Sequence, residues 1–310
     1  MYIKMRDRFP KVSVLIPAFN RPHYLRIALN SVIAQTYPNI EIIIGDDSTD
    51  NGVEDLVRPY LEVYDHIKYV RNEEASRSSF GLANMLHLFE MATGEFINFL
   101  NDDDFFHPEK IEKMVDSFFR YPNVKLVTSY RQTVDEAGNA FPTVAGLFSQ
   151  DTLISGKELG RLILQNATNY IGEPTTALVR KSDLTEGWAK YGGIQYLLFN
   201  DVATWMILLS RGDAVYIAEP LSYFRIHPGQ NQVTLTGLAL TGVAEWASFV
   251  VTSFESGFTE TIKEYQNDLR QWNKIWSNDI PKIIANEEIP FISKDMRNKF
   301  MKAVEDLSKI

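Results

Sequence analysis

Apolar residues in the first 120 or so positions come in compact β-branched runs that alternate with stretches of helical spacing. Residues 11–19 (KVSVLIPAF) form one such run, which predicts a buried strand. Leu25, Ala28, Leu29, Val32 and Ile33 then recur at helical spacing, with Pro22 in a first turn where proline is tolerated. A second strand is expected over 40–44, a polar loop over 45–52, a helix over 53–64 and a short strand over 67–70. A helix over 82–91 and a strand over 95–100 follow, the latter running into Asn101–Asp104. Strands joined by crossover helices imply a mostly parallel sheet with helices on both faces. Ligands of such sheets sit at the carboxyl ends of the strands, where the loops after Ile44 and Leu100 fall.

Beyond residue 124 the pattern loosens, with strands expected over 125–131, 175–180 and 213–217 and helices over 156–165 and 201–211. Past residue 232 it becomes helical, over 238–255, 261–285 and 294–309. The fold class is therefore α/β with a C-terminal helical extension. The boundary is placed in 230–237, giving domains of 1–235 and 236–310.

Composition narrows the function. A net charge of −9 argues against a nucleic-acid binder, which needs a basic face. There are no cysteines, which removes disulfides and thiolate metal sites. The first ten residues lack the apolar core of a signal peptide, and no stretch approaches the roughly 20 apolar residues that span a bilayer. The chain is read as cytoplasmic, with the inner face of the membrane as an alternative place of action.

Two polar loops carry the candidate chemistry. Asp102, Asp103 and Asp104 repel one another, and a hard divalent cation, Mn2+ or Mg2+, would offset that while recruiting phosphates. An acidic turn capping a helix near Pro108 is the plainer alternative. Asp46, Asp47, Ser48, Thr49 and Asp50 follow the second strand and can accept hydrogen bonds from a base edge or ribose hydroxyls, or simply cap the helix at Val53. Asp201 opens a helix, where its position alone reads as a cap. No G-x-G-x-x-G follows the first strand, which argues against a dehydrogenase. A phosphatase or nucleotidyltransferase would need a further carboxylate and histidine cluster, and none is evident.

Four blocks in order complete the pattern: VSVLIPAFNRPHYLRIALNSVIAQTYPNIEIIIGDDSTD, GEFINFLNDDDFFHPEKIE, GGIQYLLFNDVATWMILLSRGD and EPLSYFRIHPGQN. Together they resemble the family 2 glycosyltransferases of bacterial type, which have the GT-A fold. The resemblance implies that Pro17, Ala18 and Asn20 contact the nucleotide and that Asp46 reads the base. Arg77 and Asn84 match positions that approach the nucleotide. Asp103 matches the acid near ribose and metal, and Asp104 the principal metal ligand. Asn101 stands where relatives often have the first acid, with Asp102 beside it to compensate. His227 resembles a histidine near the diphosphate and metal, with Arg225 as another diphosphate partner. Asp201, in an Asn200–Asp201 pair, matches the catalytic base, and Glu173 an acceptor-site residue.

The implied reaction is an inverting transfer of a sugar from a nucleoside diphosphate, with UDP the expected carrier, to a hydroxyl of a glycan, lipid-linked or protein-linked acceptor. Asn101 and Asn200 support a rival reading, a degenerate binding module that keeps the fold without the chemistry. Apolar residues of the C-terminal helices, Trp246, Phe249, Trp272 and Trp276 among them, suit packing against the catalytic domain, a homodimer surface or a membrane-interface face.

Overall fold

The computed structural model describes residues 9–72, 79–142, 146–229, 238–286 and 288–310. The described chain falls into two compact units. One runs up to Ile154 and adds Ile171–Trp188 and Asp213–His227; the other takes Ser155–Tyr170, Ala189–Gly212 and the chain from Pro228 onward. The boundary expected in 230–237 lies outside the described residues.

The first unit begins with β1 (Val12–Ala18), α1 (Pro22–Ile33), β2 (Ile40–Asp46), α2 (Gly52–Val63), β3 (Ile67–Arg71), α3 (Leu82–Met91) and β4 (Phe96–Phe99). It continues through β5 (Phe105–Phe106), α4 (Lys110–Arg120), β6 (Val124–Val134), β7 (Thr152–Ile154), β8 (Leu178–Arg180) and β11 (Asp213–Arg225). These strands form one sheet in the order β3-β2-β1-β4-β8-β6-β11-β5, with β7 also paired to β11. Pairings among β3, β2, β1 and β4 are parallel, as is β6 with β11. The short β8 is antiparallel to both its neighbours, so β6 and β11 regain the direction of β1. The sheet is thus mostly parallel, reversed only at β5, β7 and β8.

Side-chain alternation explains why these strands read as continuous apolar runs. Val12, Val14 and Ile16 of β1, with Ile42 and Ile44 of β2, enter one core with α1, α2 and α4. Leu15 and Ile43 point to the opposite face and are equally enclosed, and α3 packs there. A strand covered on both faces gains from apolar residues at every position.

Three local expectations are corrected. The chain over 174–176 forms a 3-10 turn rather than strand, because Pro174 sets the first helical φ and Thr176 Oγ1 donates back to the Glu173 and Ile171 carbonyls. The strand expected to stop at Ile217 runs on to Arg225, with register shifts around Pro220, which has no N–H to give the ladder. The helix expected over 261–285 is two, since Pro281 opens a new helix.

The second unit holds α5 (Gly156–Asn166), β9 (Lys190–Tyr191), β10 (Ile194–Gln195) and α6 (Asn200–Leu209). It also holds α7 (Ala239–Glu255), α8 (Ile262–Trp276), α9 (Ile280–Ala285) and α10 (Lys294–Leu307). The hairpin β9–β10 turns on Gly192 and Gly193, both at positive φ, as its two-residue loop requires. Around α7 the tryptophans close on their own unit: Trp272 Nε1 donates to the Val243 carbonyl at 3.0 Å, and Trp246 meets Trp276 with ring centroids 5.8 Å apart. Among the described residues no helix is long and apolar enough to cross a membrane.

Candidate active site

The parallel register sets Ala18 beside Asp46 and Leu15 beside Phe99. The carboxyl ends of β1, β2 and β4 therefore lie side by side, and their three loops are tied together by hydrogen bonds. Phe19 N donates to Asp102 Oδ2 at 2.9 Å, and Asn20 N to Ser48 Oγ at 2.8 Å. Asn20 Oδ1 accepts Thr49 N at 2.8 Å. Asn20 itself sits at φ +53°, a left-handed conformation that asparagine tolerates better than most residues. Pro17, Ala18 and Asn20 are thus placed at the sheet edge by β1.

Asp46 is fully covered. Its Oδ1 accepts Ser48 N at 2.7 Å, and its Oδ2 accepts Tyr69 Oη at 2.7 Å and Arg71 Nη1 at 3.1 Å. Asp46, the residue expected to meet a base, holds the start of the loop from Asp47 to Thr49. Asp47, next in line, accepts Asn72 Nδ2 at 2.9 Å. Asn84 is also enclosed, donating through Nδ2 to the Gly45 carbonyl at 2.7 Å, so it holds the end of β2 from beneath. Arg77 lies outside the described residues.

The acidic run divides its work. Asp102 is buried against the Phe19 amide and pairs with Arg21 at 3.5 Å. Asp103 Oδ2 faces both Arg21 Nη1, at 2.5 Å, and His227 Nε2, at 3.1 Å. Asp104, wholly enclosed, accepts Thr175 Oγ1 at 2.7 Å, Asn101 Nδ2 at 3.3 Å and Arg225 N at 3.1 Å. Burial pushes the Asp102 and Asp104 carboxyls up, and the charge of Asp103 adds to the effect; Arg21 opposes it at Asp102, and the Thr175 hydroxyl opposes it at Asp104. A cation at this edge would relieve that cost.

The donor set suits a hard divalent cation. Asp103 Oδ2 and His227 Nε2 stand at 3.1 Å, close to the ~3 Å separation of adjacent ligands on an octahedral ion with ~2.1 Å bonds. In the structure Arg21 brings the positive charge, its Nη1 also lying 3.5 Å from His227 Nε2. His227 is buried, with its ring against Tyr24 at 4.7 Å between centroids. Arg225 departs from its expected place on a diphosphate. The residue is 1% exposed, and its guanidinium donates to the backbone carbonyls of Asp103, at 2.8 Å, and Glu136, at 2.8 Å. It braces the acidic loop.

One tight grouping of potential ligands among the described residues is His107, Glu109 and Glu219 at the start of α4. Lys113 bridges Glu109 at 2.9 Å and Glu219 at 2.5 Å, so an ammonium already neutralises it.

In the second unit Asp201 occupies the first turn of α6, two residues past the cap position, Phe199. Its Oδ1 accepts Val202 N at 2.7 Å, and its Oδ2 accepts Asn169 Nδ2 at 2.8 Å. Asn200 donates to the Leu197 carbonyl at 2.9 Å. Glu173, back in the first unit, pairs with Arg131.

Sequence reasoning missed Arg21, Thr175 as a partner of Asp104, and the buried Lys110. Lys110 Nζ donates to the Thr176 carbonyl at 2.9 Å and to Ser222 Oγ at 3.0 Å. Arg21 had a signal in its place directly after the strand-end Asn20. The other two depend on contacts between distant segments.

Comparisons with known proteins agree with this geometry. Among curated proteins, an uncharacterized glycosyltransferase of Nostoc sp. is 28% identical over 231 residues, covering 72% of this chain and 67% of that protein. A putative teichuronic acid biosynthesis glycosyltransferase, TuaG of Bacillus subtilis, is 26% identical over 218 residues, covering 70% of this chain and 79% of its own length. An uncharacterized glycosyltransferase of Rickettsia conorii is 37% identical over 134 residues, and there the chain spans 21% of a longer protein. Among solved structures, S. aureus TarS 1-349 in complex with UDP-GlcNAc superposes with a TM-score of 0.65 at 16% identity, covering 96% of this chain and 80% of that one. The mannosyltransferase PcManGT from Pyrobaculum calidifontis, in complex with GDP-Man and Mn2+, gives a TM-score of 0.51 at 14% identity, covering 97% and 87%. The model of the family described as glycosyl transferase family 2 matches residues 13–188, more than half of the chain. A GT-A sheet with its acidic loop at the strand ends, and a family match across that sheet, lead to one conclusion: this chain belongs to glycosyl transferase family 2 and is a glycosyltransferase.

Proposed function

We propose that this glycosyltransferase moves a sugar from a UDP-linked donor to an acceptor hydroxyl, with inversion at the anomeric carbon and with a divalent cation, Mn2+ or Mg2+, at the acidic loop. The observation that carries the reading is the pairing of Asp103 with His227 at 3.1 Å, in the loop cluster at the carboxyl edge of the sheet. Solved relatives of this fold are complexes with UDP-GlcNAc and with GDP-Man and Mn2+, which supports a nucleotide-sugar donor.

Each residue then has a role. Pro17, Ala18 and Asn20 line the nucleotide, and Asp46 orders the loop that meets its base. Asp102 fixes the loop to the Phe19 amide. Asp103 and His227 would hold the cation, with Asp104 behind them. Bound there, a divalent cation supplies Lewis-acid stabilisation to the charge that develops on the departing diphosphate. Arg21, already on the carboxylates, is placed to turn to phosphate oxygens, which its planar fork matches. Asp201 takes the proton of the acceptor hydroxyl as that oxygen attacks the anomeric carbon. The acceptor is a glycan, lipid-linked or protein-linked hydroxyl, and the transferase domain spans 1–235 with 236–310 as its helical region. The enclosure of Trp246, Phe249 and Trp272 within their own unit supports the packing reading of those helices over a dimer or membrane face. A cytoplasmic place of action, including the inner membrane face, completes the proposal; fractionation of the native cell tests it.

The experiment is binding and turnover of a panel of UDP-, GDP- and dTDP-sugars, led by UDP-GlcNAc, with Mn2+, Mg2+ or EDTA, on wild type and Asp103→Ala. Metal-dependent turnover of one donor, reduced at least about 100-fold by the substitution, is expected, since the charge stabilisation at stake is several kcal/mol. EDTA-resistant turnover would refute the metal and leave Arg21 as the cation. Binding without turnover would favour the degenerate module that Asn101 and Asn200 suggest.

A further inference from the structure

Helix α7 carries a buried carboxylate that the roles above do not use. Glu245 is fully enclosed, in a helix whose other residues from Thr241 to Ser253 are apolar, small or hydroxylic. Its Oε1 accepts the backbone N–H of Leu197 at 2.7 Å and of Leu198 at 3.1 Å, and its Oε2 accepts that of Phe199 at 2.8 Å. Phe199 is the residue that caps α6, and its side chain has no oxygen with which to do so. Glu245 therefore supplies, from a segment 46 residues away, an anion to the three amides that lead into α6, while Asp201 takes the Val202 amide inside the first turn.

The same face of α7 holds the whole approach to α6. Tyr196 stacks on Phe249 with centroids 4.3 Å apart and its hydroxyl meets Ser248 Oγ at 2.8 Å. Phe199 packs edge-on against Trp246 at 5.2 Å. Asn200 and Asp201 follow directly, and Asn169 takes the outer oxygen of Asp201. The segment that carries Asp201 is thus hung from α7 by one carboxylate and two rings.

We propose that Glu245 is a positioning residue for the acceptor-activating base: by gathering the amides of Leu197, Leu198 and Phe199 it fixes the chain that enters α6 and with it the place of Asp201. The inference rests on the reading of Asp201 as that base. A carboxylate is needed because it only accepts; a glutamine would aim its amide N–H at a backbone N–H. Asp201 acts on Glu245 through charge, and Glu245 acts in turn on the phenol of Tyr196. Burial pushes the Glu245 carboxyl up to about 7, while the three amides favour its ionised form.

Four proteins test this: wild type, Asp201→Asn, Glu245→Gln and Glu245→Asp, assayed for nucleotide release from the donor the wild type uses, with UDP-GlcNAc as first probe. Asp201→Asn should abolish turnover while keeping UDP affinity; wild-type turnover there would remove the base reading and this inference with it. With that established, Glu245→Gln should lower kcat by about 100-fold, the scale of a misplaced catalytic group, with donor KM within about twofold. Glu245→Asp, which keeps the carboxylate, should recover part of kcat. A Glu245→Gln enzyme with wild-type kcat, or one that loses kcat and donor affinity together, would overturn the inference while sparing the base. Should both Glu245 variants fail to fold, hydrogen exchange of the wild type decides it. Amides 197–199 should exchange slowly at pH 8 and faster as pH is lowered through the titration of Glu245, after correction for intrinsic rates; unprotected amides would sink the anchor.

Discussion

At the scale of single residues, the site depends on close approaches that only one side chain permits. Gly45, in the last turn of β2, has room for nothing more. A Cβ there would stand 2.1 Å from Asn84 Oδ1 and 3.1 Å from a Leu88 methyl, while the Asn84 amide holds the Gly45 carbonyl. Gly45→Ala should therefore cost about 1–3 kcal/mol by overpacking, seen as a lower melting temperature. It should also weaken UDP binding in calorimetric titration, because Asp46 and the loop after it ride on that strand end. An alanine protein with unchanged melting and unchanged UDP affinity would show that the contact with α3 yields freely. Residue by residue, the acids of the site were legible as a run of like charges at a strand end. Their division of labour was not: Asp103 faces Arg21 and His227 while Asp104 is sealed by Thr175 and the Arg225 amide, and those partners come from segments 71 and 121 residues away.

At the scale of elements, the second unit is joined by a buried ion pair. Arg161 of α5 meets Asp268 of α8 through both nitrogens, at 2.6 and 3.1 Å, and also donates to Thr259 Oγ1 at 2.7 Å. Removing one partner strands the other charge in the core, so Asp268→Ala should lose about 3–5 kcal/mol in urea unfolding. The paired change Arg161→Met with Asp268→Leu should recover most of it, since the desolvation of both charges disappears together. Equal loss in the single and the double variant would mean that geometry, not stranded charge, is what matters there. Elements with strong period and proper punctuation, such as α3 and β1, were legible almost to the residue. Short strands such as β5 and β7 were not, because two or three residues carry no periodicity and exist only where a neighbouring strand offers hydrogen bonds.

At the scale of the molecule, buried carboxylates set the pH range of stability. Glu41 is the clearest. Burial alone would raise its carboxyl, yet hydrogen bonds from the Ser13 hydroxyl, from Thr93 and from Lys68 hold it down to about 2, against an ordinary 4.5. A depressed carboxyl stabilises the fold above its unfolded value and loses that contribution as pH falls toward the folded one. Glu41 should thus contribute about 3 kcal/mol near neutrality, lost between roughly pH 4.5 and pH 2. Glu245 works in the other sense: raised to about 7, it favours the fold below pH 4.5 and less so as pH rises through 7. Unfolding free energies measured from pH 3 to pH 8 should show an acid slope that Glu41→Gln flattens; an unchanged slope would place the acid limit elsewhere.

The sequence by itself determined the alternating sheet, the loops at its carboxyl edge and the family, since apolar periodicity and ordered motifs are properties of neighbouring residues. It also determined which residue types were available for chemistry at that edge. Only the tertiary structure decided what each of them touches. Burial gave Asp46 and Asn84 partners at the strand end, and turned Arg225 inward to backbone carbonyls. It also brought Glu245 to the amides of residues 197–199, a carboxylate whose place in an apolar helix gave no hint of its partners. The physical reason is common to all four cases. A polar group removed from water must find hydrogen bonds wherever the fold supplies them, and that partner is fixed by packing between distant segments rather than by position along the chain.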